Sequence, residues 1–148
     1  MRIFVDADAC PKDIKEILFR AAKRTNTELI LVSNHYSQIP VSSLIKIVLV
    51  NAGLDEADKK IAEEVKSNDL VVTADIPLAD IVVGMGCIAL NPRGKLYTKE
   101  TIKLALATRD LMTTLRDNQI IFGGPAKLNK NDQQAFANQL DKILRKQK

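Results

Sequence analysis

The chain has 148 residues, 46% of them apolar and 27% charged, and carries a formal charge of +4 at pH 7. This fits a single globular domain over residues 1–148, long enough to bury roughly 70% of its unfolded surface without staples. The mix excludes disordered, collagen-like and low-complexity chains, and no run of about 18 apolar residues is available to span a membrane. Cys10 and Cys87 make no disulfide framework and fit no zinc spacing, and one histidine excludes a multi-His metal site within one chain. The start, MRIFVDADACP, brings in carboxylates before a signal-peptide core could form, so a cytoplasmic location is expected.

Charge is unevenly spread. Residues 1–74 carry 10 basic and 11 acidic side chains, whereas residues 75–148 carry 12 and 7. A basic second half beside a carboxylate-bearing first half suits an anionic substrate held over a metal. Solvated helix faces and a basic tail of Arg145, Lys146 and Lys148 would give the same balance.

In chain order, Ile3-Phe4-Val5 predicts a first strand. Pro11 suits the first turn of a helix, continued by Ile14, Ile17, Leu18 and Ala21. Leu29 to Val32 is a second strand, Asn34 to Ser43 a loop, and Ile45 to Val50 a third strand. Asp55 can cap a helix with apolar positions Ala57, Ile61, Ala62 and Val65. Leu70 to Val72 is a fourth strand. Pro77 opens a short helix that Gly84 and Gly86 end, and Cys87 to Leu90 is a fifth strand. Thr98 begins a long helix expected to bury Ile102, Leu106, Leu111 and Leu115. Gly123-Gly124-Pro125 separates it from a last helix starting near Asn131, with Gln134 completing a capping box. Short, non-alternating strands between helices predict a three-layer α/β/α sandwich around a mostly parallel sheet of about five strands.

In such sheets ligands bind beyond the carboxyl ends of the strands. Polar residues recur at those ends: Asp6 and Asp8, Ser33 and Asn34, Asn51, Asp75, then Asn91 and Arg93. Asp55 and Asp58 share a helix face, and Asp80 lies in the first turns of the helix opened by Pro77. Converging carboxylates repel unless a cation neutralises them, and an oxygen-only set favours Mg²⁺ or Mn²⁺. Asp6 and Asp75 are the primary candidates, since both follow apolar strands. Asp8 and Asp80 are candidates to complete the site. Helix capping is the competing role of Asp55 and Asp58, and turn formation that of Asp6 and Asp75.

Val5-Asp6-Ala7-Asp8-Ala9-Cys10-Pro11, Thr73-Ala74-Asp75-Ile76-Pro77-Leu78-Ala79, Leu90-Asn91-Pro92-Arg93-Gly94, Arg109-Asp110 and Gly123-Gly124-Pro125 together resemble the uncharacterised YaiI/YqxD family over nearly the whole chain. That family is related by fold to PIN-like domains, many of which are metal-dependent ribonucleases. The resemblance implies a PIN-like fold and a nuclease acting on single-stranded RNA. Against the PIN pattern, Asp6 matches the acid after the first strand, Asp75 the acid after the fourth, and Asp80 the acid just beyond it. Asp58, with Asp55 as rival, matches the helix acid, and Asp8 is extra to the pattern. Lost ligands would leave a non-catalytic nucleic-acid-binding module.

Asp6-Ala7-Asp8 also resembles the first motif of haloacid-dehalogenase-type phosphatases, with Asp6 as nucleophile and Asp8 as general acid/base. Ala9-Cys10-Pro11 departs from that motif's continuation, and no convincing later Lys follows. Arg93, in a Pro/Gly-shaped turn, is the leading phosphate-binding candidate, because guanidinium grips phosphate bidentately. Asn34, Asn91, Lys95 and Arg109 are further substrate-binding candidates, with an ion pair to Asp110 the competing role of Arg109. Cys10 is expected to be a small buried residue, and His35 a loop residue with local hydrogen bonds. Assembly into a homo-oligomer is compatible with the sequence.

Overall fold

The computed structural model describes residues 1–53, 55–118 and 127–146. Strands β1 (Arg2–Asp6), β2 (Glu28–Ser33), β3 (Ile45–Leu49), β4 (Leu70–Val72), β5 (Ile88–Leu90) and β6 (Leu96–Tyr97) form one sheet in the order β3-β2-β1-β4-β5-β6. The first five are parallel, and β6 runs antiparallel to β5. Helices α1 (Lys12–Thr25), α2 (Glu56–Glu64), α3 (Ile76–Gly84), α4 (Lys99–Asp117) and α5 (Lys130–Lys146) complete the sandwich. Gly123-Gly124-Pro125 lies outside the described residues. No described helix is long and apolar enough to cross a membrane.

Strand alternation divides the core between two faces. Ile3, Val5, Leu29, Leu31, Leu70, Val72 and Leu90 pack with Ile14 and Leu18 of α1 and with Phe136 and Leu140 of α5. Phe4, Ile30, Val32, Val71 and Ala89 pack with Ile61 of α2, Leu78 and Val82 of α3, and Ile102 of α4. Both faces are covered, which is why the strands read as continuous apolar runs. Register is pinned at the amino ends of the strands. Asp69, 5% exposed, accepts the Arg2 backbone N–H at 3.0 Å and the Arg2 guanidinium at 2.8 Å, and the Lys66 N–H at 2.9 Å.

The architecture is the three-layer sandwich expected, with one strand added to the sheet and two helix details corrected. The sheet has six strands, because the turn at Asn91–Gly94 folds Leu96-Tyr97 back onto β5. Two residues are too few for a periodic signal. In α4, Ile102 and Ala105 are buried, Leu106 and Leu115 are half-buried, and Leu111 is 57% exposed. At about 100° per residue, Leu111 lies half a turn from Ile102 and cannot share its buried face. The cap of α5 is Asn129, not Asn131: Asn129 accepts the Asp132 N–H at 2.9 Å, and Asp132 accepts the Asn129 N–H at 3.1 Å.

Gly94 makes the β5–β6 turn possible. Its φ is +90°, and a Cβ there would lie 2.6 Å from the Ala135 carbonyl carbon and 2.7 Å from the Phe136 nitrogen. Backbone strain and a clash with the α5 backbone act together. Gly94→Ala is expected to lower unfolding stability by at least ~2 kcal/mol in urea titrations. Gly84→Ala, with nothing within 4 Å of its Cβ, is expected to be neutral or to stabilise by up to ~1 kcal/mol.

Candidate metal centre

The chain leaves β1 toward β2 and β3, then returns to the other side of β1 to form β4 and β5. The connection from β1 to β2 carries α1 on one face, whereas α2 and α3 lie on the other. Between the carboxyl ends of β1 and β4 the strand order reverses, and the crevice there is left open. A cavity of about 220 Å³ occupies this end of the sheet, lined by Asp6, Asp8, Asn34, Asn51, Asp55, Asp58 and Asp75, with Val50, Gly53, Glu56 and Ala57.

Each acid is positioned by a different local device. Asp6 closes β1 on the same strand face as Phe4, toward the layer of α2 and α3. Asp8 sits in the tight turn Ala7–Ala9. Its Oδ1 accepts the Ser33 hydroxyl at 2.6 Å and lies 3.1 Å from His35 Nδ1, and its Oδ2 accepts the Asn34 N–H at 2.8 Å. Asp75 caps α3, accepting the Leu78 N–H at 2.9 Å, while its own N–H donates to Thr73 Oγ1 at 3.0 Å. Asp55 precedes α2 in the left-handed region, at φ +64°, and its side chain accepts no capping hydrogen bond. That corrects the capping role expected for Asp55. Asp58 lies in the first turn of α2.

One oxygen from each of Asp55, Asp58 and Asp75 falls within 4.8 Å of the others. No Lys or Arg is among the described residues lining the cavity. Asp58 is pushed up to about 7 by burial first, then by a side-chain hydrogen bond with Asp75 and the charges of Asp75, Asp6 and Asp55. Asp6 is raised to about 6, by burial first and then by Asp8 and Asp75. A shared proton thus relieves the repulsion. A hard divalent cation would do the same more completely, and the donor set, carboxylate oxygens only, fits Mg²⁺ or Mn²⁺.

The other candidate residues lie elsewhere. Asp80 is five residues beyond Asp75, about 140° around α3, and is not among the residues lining the cavity. Asn91 shapes its own turn: Oδ1 accepts the Arg93 N–H at 2.6 Å, and Nδ2 donates to the Tyr97 hydroxyl at 3.3 Å. Arg93 pairs with Asp132 at 2.7 Å, tying the β5–β6 turn to α5, on the face opposite α2 and α3. Lys95 stands 5.7 Å from the Tyr97 ring centre. Arg109 is on α4, 3.5 Å from Asp110. Of the expected substrate-binding residues, only Asn34 lines the cavity. Cys10 is buried, and burial pushes its thiol up to about 12, which removes it as a nucleophile. Gly53 and Glu56 carried no signal in the sequence, since their place depends on how the chain enters α2.

These raised carboxyls give a definite pH dependence. Asp6 and Asp58 hold protons in the folded state up to about 6 and about 7 but release them near 3.8 when unfolded. Between those limits the folded state binds more protons, so stability falls as pH rises. Metal-free protein is expected to be less stable at pH 8 than at pH 5 by on the order of 1 kcal/mol from these two groups, after allowance for solvent screening at an open site. Urea titrations at both pH values check this. Asp58→Asn should flatten the difference, and an undiminished slope in that variant would contradict the assignment.

Comparison with known proteins agrees across the chain. Residues 4–146 match the family described as "Uncharacterized BCR, YaiI/YqxD family". A UPF0178 protein of Colwellia psychrerythraea is 54% identical, covering 97% of this chain and 95% of the relative. UPF0178 proteins of Syntrophotalea carbinolica and Halorhodospira halophila are 56% and 57% identical, each covering 97% of this chain and 97% and 95% of theirs. No solved structure matches. With a match that runs almost end to end and takes in every acid of the cavity, the chain belongs to the YaiI/YqxD family.

Proposed function

We propose that this protein is a cytoplasmic metal-dependent nuclease that hydrolyses phosphodiester bonds in single-stranded RNA. One observation carries the reading: Asp55, Asp58 and Asp75 bring oxygens within 4.8 Å of one another at the strand-order reversal, in a cavity with no cationic side chain among its described lining. Folding that much like charge together costs stability, and a site for a divalent cation is the use that justifies it.

Asp58 and Asp75 would hold the ion, and Asp55 now stands beside Asp58 as the helix acid instead of excluding it. Asp6 borders the same cavity, where its carboxylate would orient a water or accept its proton. Asp8, fixed by Ser33 and Asn34, would shape the wall next to Asp6. A bound Mg²⁺ or Mn²⁺ would polarise a phosphoryl oxygen and make a water a competent nucleophile at neutral pH.

A second reading, a non-catalytic nucleic-acid-binding module, is favoured by the displacement of Arg93, Lys95 and Arg109 from the cavity lining. A phosphatase using Asp6 as nucleophile would form an aspartyl phosphate, with no Lys from the described lining to neutralise it.

Single-stranded RNA incubated with Mn²⁺ separates these readings. Wild type should cleave internal bonds, chelator should abolish cleavage, and Asp75→Asn should lower the rate at least about 100-fold. Salt-sensitive binding without cleavage would replace the nuclease with the module. A beryllofluoride or phosphoryl adduct on Asp6 would replace it with the phosphatase.

A further inference from the structure

At the opposite end of the sheet a second cavity, of about 360 Å³, opens beside the edge strand β6. Because β6 is antiparallel to β5, the start of β5 and the end of β6 meet there, far from the carboxyl ends that carry Asp6 and Asp75. Its walls are largely apolar, formed by Ile88 and Leu96 of the sheet and Ile143 of α5. Its rim is cationic. Lys142 and Lys146 are four residues apart on α5 and share a face beside Ile143, while Lys99 opens α4 and lines the same cavity.

None of these three ammonium groups is held in an ion pair among the described residues. Two carboxylates lie close by in sequence: Glu100 interacts with Lys99 but is hydrogen-bonded to Thr98 and to its own backbone N–H, and Asp141, next to Lys142, is paired with Arg24 and Arg145. Three like charges around one mouth repel, as the acids do at the other end. The start of α4, a helix of 19 residues, adds the positive end of its dipole at Thr98 and Lys99. A carboxylate monoanion would leave most of this charge unmatched. A phosphate dianion suits it, and Lys is a point-charge phosphate binder. The apolar walls call for an organic body attached to that phosphate, and the volume falls in the range of small-molecule sites.

We propose that this cavity binds the phosphate of a nucleotide-sized organic phosphate, with its apolar part against Ile88, Leu96 and Ile143. The site is independent of the acidic cavity. The same phosphate chemistry is offered by a free mononucleotide and by the phosphorylated end of a nucleic-acid chain.

Calorimetry with AMP as probe tests the proposal, in chelator so that the acidic cavity takes no part. Wild type should bind AMP, and adenosine should bind at least about tenfold more weakly. The double variant Lys142→Gln/Lys146→Gln should weaken AMP binding by a similar factor. Gln139→Phe, which fills the cavity from α5 without changing charge, should abolish it. Asp75→Asn should bind as wild type. A 5′-phosphorylated RNA oligonucleotide identifies the source: binding alongside AMP assigns the site to a chain end, and binding of AMP alone assigns it to a free nucleotide. No AMP binding by wild type at millimolar concentration overturns the proposal. Binding that survives both the lysine pair and Gln139→Phe, in variants that melt as wild type does, overturns it as well. RNA cleavage does not enter any of these readings, so failure here leaves the nuclease reading standing.

Discussion

The position of β1 governs the rest of the molecule. It lies inside the sheet, paired to β2 on one side and β4 on the other, with both registers set by buried apolar residues. A parallel strand in that place needs crossovers, and their fixed hand sends α1 to one face and α2 and α3 to the other. The gap this leaves beyond β1 and β4 is a consequence of connectivity. Whatever residues follow those two strands must share it, and here they are Asp6 and Asp75.

The acids that meet there are held by backbone devices, and this makes the cluster durable. Asp75 is fixed by the first turn of α3, Asp8 by Ser33 and an amide at the end of β2, and Asp55 by a left-handed residue at the entry to α2. None of these devices supplies a positive charge. The helix N-terminus at Asp75 and the shared proton on Asp58 soften the repulsion without removing it. Asp55, Asp58 and Asp75 already bring oxygens within 4.8 Å of one another, so they would need little movement to converge on the cation of the proposed function.

No Lys or Arg lines the acidic cavity among the described residues. Arg93 is consumed in joining the β5–β6 turn to α5, where Gly94 lets the two backbones approach. Lys99, Lys142 and Lys146 gather at the other end of the sheet around a cavity of their own. The two cavities are therefore opposite in charge, one acidic where β1 and β4 finish and the other basic where β5 starts. A net charge of +4 conceals this separation.

The sequence by itself determined the layer architecture, the parallel strands and the acids at their ends. Buried strands flanked by turn residues and helices with strong caps carry their signals within a few residues. Thr98 beginning α4 and Asp75 following β4 were legible for that reason. What only the tertiary structure decided depends on contacts distant in sequence. Asp55 and Asp58 read as rivals because helix spacing cannot show that both face Asp75, some twenty residues away. Arg93 read as a phosphate ligand because its partner, Asp132, is 39 residues on. Leu111 read as core because an apolar residue in a helix declares its character and not what covers it, and the phase of α4 against α3 turns it to solvent. Local chemistry fixes which residues are able to act. Their convergence is set by strand order and helix packing, which no short window of sequence contains.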